Sequence, residues 1–222
     1  MIVLIYNDET GQMERMSRDC SENMPYTTNH VLTVESFRGR SSSRLLWSTK
    51  SFLESVNESF HQLNACFDVM HGFSRVWERF ENEQFAHKLG TALSGGQNLN
   101  SRRKEQLIKD LEEQDDYTFI QDFDHMPSIV HFHQMTDSSS DVIVFETVQK
   151  GSVGVSVCAL QDALWYLGYD IPSINGIFDE NLEHELISFQ RSNGLSVDGI
   201  AGVNTWTSLM QILDPEEIRY MV

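Results

Sequence analysis

The sequence is short of basic side chains: 16 lysines and arginines face 33 aspartates and glutamates across 222 residues, for a formal charge of -17. A surface of that sign repels nucleic-acid phosphates and anionic membrane faces, so neither is an expected partner. Cysteine is scarce as well. Cys20, Cys66 and Cys158 stand far apart with no CxxC pair, which excludes a zinc clip of that kind and leaves no readable disulfide framework. Long apolar runs are missing too. The longest, "MIVLIY", has no basic residues before it and is shorter than a signal-peptide core, so neither an export signal nor a membrane span is expected. There is no GxSxG, no Walker loop and no GxGxxG, and nothing around the cysteines marks one as a nucleophile.

What is present is enough apolar material for real cores, 40% of the residues. "IVLIYNDETGQMERM" alternates around a turn-rich centre and predicts an opening hairpin, while "HVLTV" predicts a short strand. Phe52, Val56, Phe60 and Leu63 share one helical stripe and predict a helix from Thr49 to Phe67. "DVMHGF" reads as a short buried strand. "SRRKEQLIKDLEEQ" reads as a second helix, with Ser101 at its N-cap and Leu107, Ile108 and Leu111 on one side. "YTFIQDF" and "SIVHFHQM" read as strands, the latter placing His131 and His133 on one face because strand side chains alternate. Residues 1–135 are therefore expected to form an α+β domain with a small antiparallel sheet. The small polar run "TDSSSD" marks a linker over 136–150.

Beyond it the pattern becomes helical, and glycines punctuate it. Val157, Leu160, Leu164 and Leu167 line one helix that stops at Gly168. Leu182, Leu186 and Phe189 line a second that stops at Gly194, and a third begins near Thr205 with Trp206 and Leu209. "INGIFDENL" starting at 174 and "VDGIAGVNT" starting at 197 align 23 residues apart (197 − 174), an internal duplication. An all-α three-helix domain over 151–214 follows, with a tail over 215–222. The bare residues ascribe Gly176, Gly199 and Gly202 to positive-φ turns, Asp198 and Thr205 to turn and cap hydrogen bonds, and Trp206 to the core.

The pattern "GSxGxxVxxLQxxLxxLGY", then "GIF", then "FQRxNGLxVDGIxGxxTWxxL" resembles the peptidoglycan-binding module with a duplicated three-helix fold. The resemblance implies that bacterial peptidoglycan is the partner and that the ligand lies in a shallow groove between the repeats. The site residues would be Gly176, Phe178, Asp198, Gly199, Gly202 and Trp206. Asp179 and Leu182 stand where the family has glycine and threonine, which weakens the first repeat.

Two further stretches, "FAHKLGTALS" and "PSIVHFHQM", resemble motifs of the zinc D-alanyl-D-alanine peptidase superfamily, which includes phage endolysin peptidases; "GFSRVWERF" and "LTVESFRGRSSSRLLW" are similar to its flanking segments. The resemblance implies His87 as first zinc ligand and His131 as last, with Gly90 and Ala92 on family positions. It also puts Ser94 where an aspartate ligand belongs, Phe85 in place of a serine, and Ser128 where relatives carry the carboxylate base. Gln121, Asp122 and Asp124 remain upstream as catalytic candidates. A hydrolytic zinc site needs three protein ligands, an open position for water and a carboxylate base. A neutral hydroxyl is a poor substitute for an anionic ligand.

The expectation is thus a wall-binding protein with an inactive peptidase-like domain and no cofactor. The alternative is an active zinc peptidase in which His133, Asp122, Asp124, His125 or Glu83 completes a rearranged ligand set. A third reading is an interaction protein whose repeats bind a polypeptide. His30, His61, His71 and His184 carry no motif. With no visible export signal, the protein is expected to stay cytoplasmic until lysis, or to act at the cell wall after release.

Overall fold

The computed structural model describes residues 1–63, 67–78, 86–113, 117–122, 130–134 and 145–213. The apolar alternation at the start produces the expected hairpin, β1 (Ile2–Asn7) against β2 (Gln12–Ser17). Asn7 shapes its turn, because its side-chain oxygen accepts from the N–H groups of Glu9 and Thr10. β3 (Leu45–Thr49) joins the other edge of β1 in parallel, giving the order β2-β1-β3. This sheet is mixed, and its parallel pair was not expected; the long connection over residues 18–44 is the crossover that parallel pairing requires. A second sheet, all antiparallel, runs β4 (Val69–His71), β5 (Ala92–Gly95), β7 (Val130–Gln134), β6 (Tyr117–Asp122).

"HVLTV" does not form a strand. Thr33 makes only an isolated bridge to Asn23 and instead caps α1 (Val34–Arg38), its hydroxyl accepting from the Ser36 N–H at 3.1 Å. A side-chain cap there outweighs the strand preference of the valines. α2 (Lys50–Leu63) buries the stripe Phe52, Val56, Phe60 and Leu63 as expected. α3 (Ala86–Leu89) is a single turn before β5. α4 (Ser101–Glu112) is capped by Asn100 rather than Ser101, through a 3.0 Å bond from the Arg103 N–H.

The C-terminal part is helical: α5 (Val155–Tyr166), α6 (Glu180–Ser192) and α7 (Val203–Leu213). Leu160, Leu164, Leu182, Leu186, Phe189 and Leu209 close its core. The packing reaches back into 145–148, where Phe145 stacks on Trp206 with centroids 4.2 Å apart and Val148 exchanges two backbone bonds with Ala201. α5 is buried on every side from Val155 to Leu164, because it also lies against α3 and β3 of the N-terminal part. Among the described residues no helix is long and apolar enough to cross a membrane.

Candidate functional site

The glycine turns of the C-terminal helices are each locked by one buried glutamine. Gln161 of α5 accepts from the N–H groups of Asn175 and Gly176, both at 2.9 Å, and donates to the Asn175 side chain and the Ile177 carbonyl. Gln190 of α6 repeats this: it accepts from the N–H groups of Asp198 and Gly199, and donates to the Asp198 carboxylate and the Ile200 carbonyl. One side-chain amide thus satisfies two donors and two acceptors of a buried turn. Gly199 has φ +70°, a conformation the turn requires and a side chain resists. Short bridges tie both turns to the preceding chain, Val153 to Ile177 and Val148 to Ala201.

Of the residues implied as wall contacts, Asp198 is exposed, Gly202 is half-buried, and Gly176, Phe178, Gly199 and Trp206 are buried. Trp206 donates its indole N–H to the Glu146 carbonyl at 3.1 Å, so its ring helps close the core. Gly202 does not have a positive φ; its carbonyl starts α7 by accepting from the Trp206 N–H. The departure at Asp179 has a compensating role, since its carboxylate caps α6 through the Leu182 N–H at 2.9 Å. Leu182, where the family has threonine, fills core space instead. Sequence reasoning passed over both glutamines; their signal was the glutamine that follows an apolar residue in "LQDAL" and again in "FQRSN".

In the N-terminal part, α3 presents His87 and β5 presents Ser94, and both are buried. Gly90 makes the turn between them at φ +70°, and a Cβ there would sit 1.8 Å from the Trp47 carbonyl oxygen, so no other residue fits. His87 Nδ1 lies 2.5 Å from the Gly72 carbonyl, which only a protonated Nδ1 can satisfy. Nε2 is then an acceptor, and the Ser94 hydroxyl donates to it at 3.1 Å. In the sheet Ser94 is paired with His131, and His131 with Gln121, so these positions form one row across β5, β7 and β6; Ala92 and Phe119 flank His133 in the next. Asp122 pairs with Val130, while Glu83, Asp124, His125 and Ser128 lie outside the described residues. By residue type the row is Ser94, His131 and Gln121, with no acidic residue among the three, and the Ser94 hydroxyl is hydrogen-bonded to His87 Nε2. Among the described residues no three His, Cys, Asp or Glu side chains cluster as a metal site.

A buried seam joins the two parts. Asp162 of α5, fully buried, accepts from the Arg75 guanidinium through Nε and Nη2 and from the Val76 N–H. The Arg75 guanidinium lies 5.7 Å from the Trp47 ring centroid, 5.9 Å from Trp77 and 5.6 Å from Trp165. Glu78 holds the Arg75 loop in shape, accepting from the Arg75 N–H, Ser41 and Ser42. Burial pushes the Glu78 carboxyl upward, but those hydrogen bonds outweigh it and hold the group below the usual carboxylate range.

Residues 153–209 match the family described as "Putative peptidoglycan binding domain". The chain is similar to a spore cortex-lytic enzyme of Oceanobacillus iheyensis, 33% identical over 82 residues that cover 37% of this chain and 30% of the relative. A spore cortex-lytic enzyme of Bacillus cereus is 35% identical over 66 residues, 30% of this chain and 26% of that one. The chain therefore spans less than a third of the length of either curated relative. A peptidoglycan-binding protein from Clostridioides difficile, solved in complex with glutamine hydroxamate, is 36% identical over 33% of this chain and 46% of its own, at a TM-score of 0.32. The solved SleB N-terminal domain is 32% identical over 32% of this chain and 97% of its own, at a TM-score of 0.31.

Proposed function

We propose that this protein binds bacterial cell-wall peptidoglycan through its C-terminal module, and that its N-terminal domain has the outline of a zinc wall peptidase without the chemistry. On this reading the chain divides into a peptidase-like part over 1–135, a connection over 136–150 and the module over 151–214. The observation that carries the first half is the family match over 153–209, on a segment whose two turns are built on the same glutamine lock. The second half rests on the Ser94 hydroxyl that occupies His87 Nε2 where a metal would need the lone pair. On this reading the protein acts at the cell wall and works without a cofactor. Asp198 and Gly202 at the second turn are the more accessible of the implied contacts; the buried ones act by shaping the turns.

The full chain is expected to sediment with purified sacculi and to be displaced by soluble muropeptides; a chain left in the supernatant sinks the binding reading. Competition by muropeptides also separates wall binding from a repeat that grips another polypeptide. The row of Ser94, His131 and Gln121 is what favours the competing reading, an active zinc peptidase with rearranged ligands. Elemental analysis decides between them. Wild type should carry far less than one zinc per chain after loading, while Ser94→Asp restores an anion beside His87 and should take up about one. Stoichiometric zinc in wild type, lost in His131→Ala, would instead establish a metalloenzyme.

A further inference from the structure

The last turn of α5 exposes two aromatic side chains, Trp165 at 49% and Tyr166 at 51%, and no other aromatic residue is so exposed among the large hydrophobic residues described. They lie where the module meets the N-terminal part. The Tyr166 ring is parallel to that of Trp77, 8° between planes and 5.2 Å between centroids, so the patch takes rings from both parts of the chain. Beneath it the Arg75 charge is neutralised by Asp162, which leaves the patch without net charge in a protein of formal charge -17. The Trp77 indole N–H is buried with no acceptor, an orphan donor at the same place.

We infer that Trp165, Tyr166 and Trp77 form a platform for the glycan strand of the wall polymer, a chain of N-acetylated amino sugars. This rests on the wall-binding reading and deepens it by naming which part of the polymer is held and where. Flat, half-exposed rings offer apolar area at low conformational cost, and the uncharged C–H face of a pyranose matches them. The strongly acidic surface works against the carboxylates of stem peptides and the phosphates of wall polyols, whereas a neutral sugar face meets no such penalty. Because the rings come from both sides of the Arg75–Asp162 seam, the platform exists only while the two parts are docked.

The test uses the full chain, purified sacculi and soluble chitotetraose, an uncharged N-acetylglucosamine oligomer. Chitotetraose is expected to change tryptophan fluorescence saturably, and Trp165→Ala to weaken retention on sacculi and the chitotetraose response by about tenfold. Trp165→Leu keeps apolar bulk but removes the flat face; it should lose binding to the same degree with an unchanged melting temperature, which separates a lost contact from a damaged fold. Val203→Ala, an equally apolar change at an exposed site on α7, should leave both readouts unaltered. Sacculi that retain wild type and both Trp165 variants equally would overturn the platform while leaving wall binding intact. Competition by free stem peptide with no response to chitotetraose would overturn it in favour of a peptide ligand. Wild type unable to bind sacculi would sink the wall-binding reading itself, and a silent chitotetraose titration of that protein would sink the platform as well.

Discussion

The two glutamine turns of the module share the same four hydrogen bonds to the turn itself, yet the residues that follow the glutamines have opposite fates. After Gln161 comes Asp162, fully buried and bound to Arg75; after Gln190 comes Arg191, which is exposed. The first turn itself is pressed against the opening hairpin, since a Cβ on Gly176 would meet the Met13 side chain at 2.9 Å, whereas Gly199 faces only Glu183 and Ile187 of its own module. Duplication supplied two copies of one turn. One has become a docking element for the rest of the chain and the other stays open to solvent. Of the residues exchanged between the copies, Asp179 for Gly202 alters how the helix starts, while Leu182 for Thr205 removes a hydroxyl that in the second copy accepts from the Gln190 amide at 3.3 Å.

The largest break in this comparison should come from Asp162→Asn. It strands the Arg75 charge in a buried site, at a cost of about 3 to 5 kcal/mol, or a melting temperature lower by roughly 10 °C in calorimetry. Arg191→Ala, the matching position, should stay within about 0.5 kcal/mol of wild type; equal losses would erase the asymmetry. Gln161→Ala and Gln190→Ala each orphan two backbone donors, and denaturant titration should show about 2 to 3 kcal/mol lost for either. A large gap between the two would mean that the locks are not equivalent. Asp179→Ala should cost about 1 kcal/mol by removing the α6 cap. Gly202→Ala, where a Cβ meets nothing within 4 Å, should cost less than about 0.5 kcal/mol.

The smallest effect is expected from Asp198→Asn, which converts the second turn into the first. Hydrogen bonds from the Ile200 N–H and then the Gln190 amide hold the Asp198 carboxyl below its usual range. A depressed folded value stabilises above the unfolded value, about 3.9, and that contribution is lost as the pH falls through the folded one. Wild type should therefore melt slightly above the variant at neutral pH, and the gap should close in acid. A gap that widens on acidification would reverse the assignment.

Elements governed by nearest neighbours were readable in advance: the α2 stripe, the hairpin with its asparagine turn, and the glycine stops at 168 and 194, both at positive φ. Errors arose where one local preference beat another. Thr33 capping α1 displaced a strand, and Asn100 rather than Ser101 took the α4 cap. The parallel β1–β3 pair went unread because hydropathy shows which residues face a core, not which strand lies beside which. Of the candidate sites, sequence pattern found the family and its turn glycines. It erred at Gly202, which has no positive φ, and missed the glutamines that organise the turns at Gly176 and Gly199; the Arg75–Asp162 contact spans 87 residues that no periodicity connects. His87 and Ser94 were paired by their motif, but which of them donates follows only from the Gly72 carbonyl beside Nδ1, which calls for a proton on that nitrogen.

The length of that contact also dictates an order of events during synthesis. A nascent chain that has left the ribosome only as far as residue 150 carries Arg75 with its carboxylate partner still held in the exit tunnel, and β3 and α3 with the surface meant for α5 still bare. The amino-terminal half thus cannot mature as each segment emerges, as beads on a string do. Its consolidation waits for the carboxyl-terminal half, and a ribosome stalled before α5 would present a chain open to chaperones and proteases.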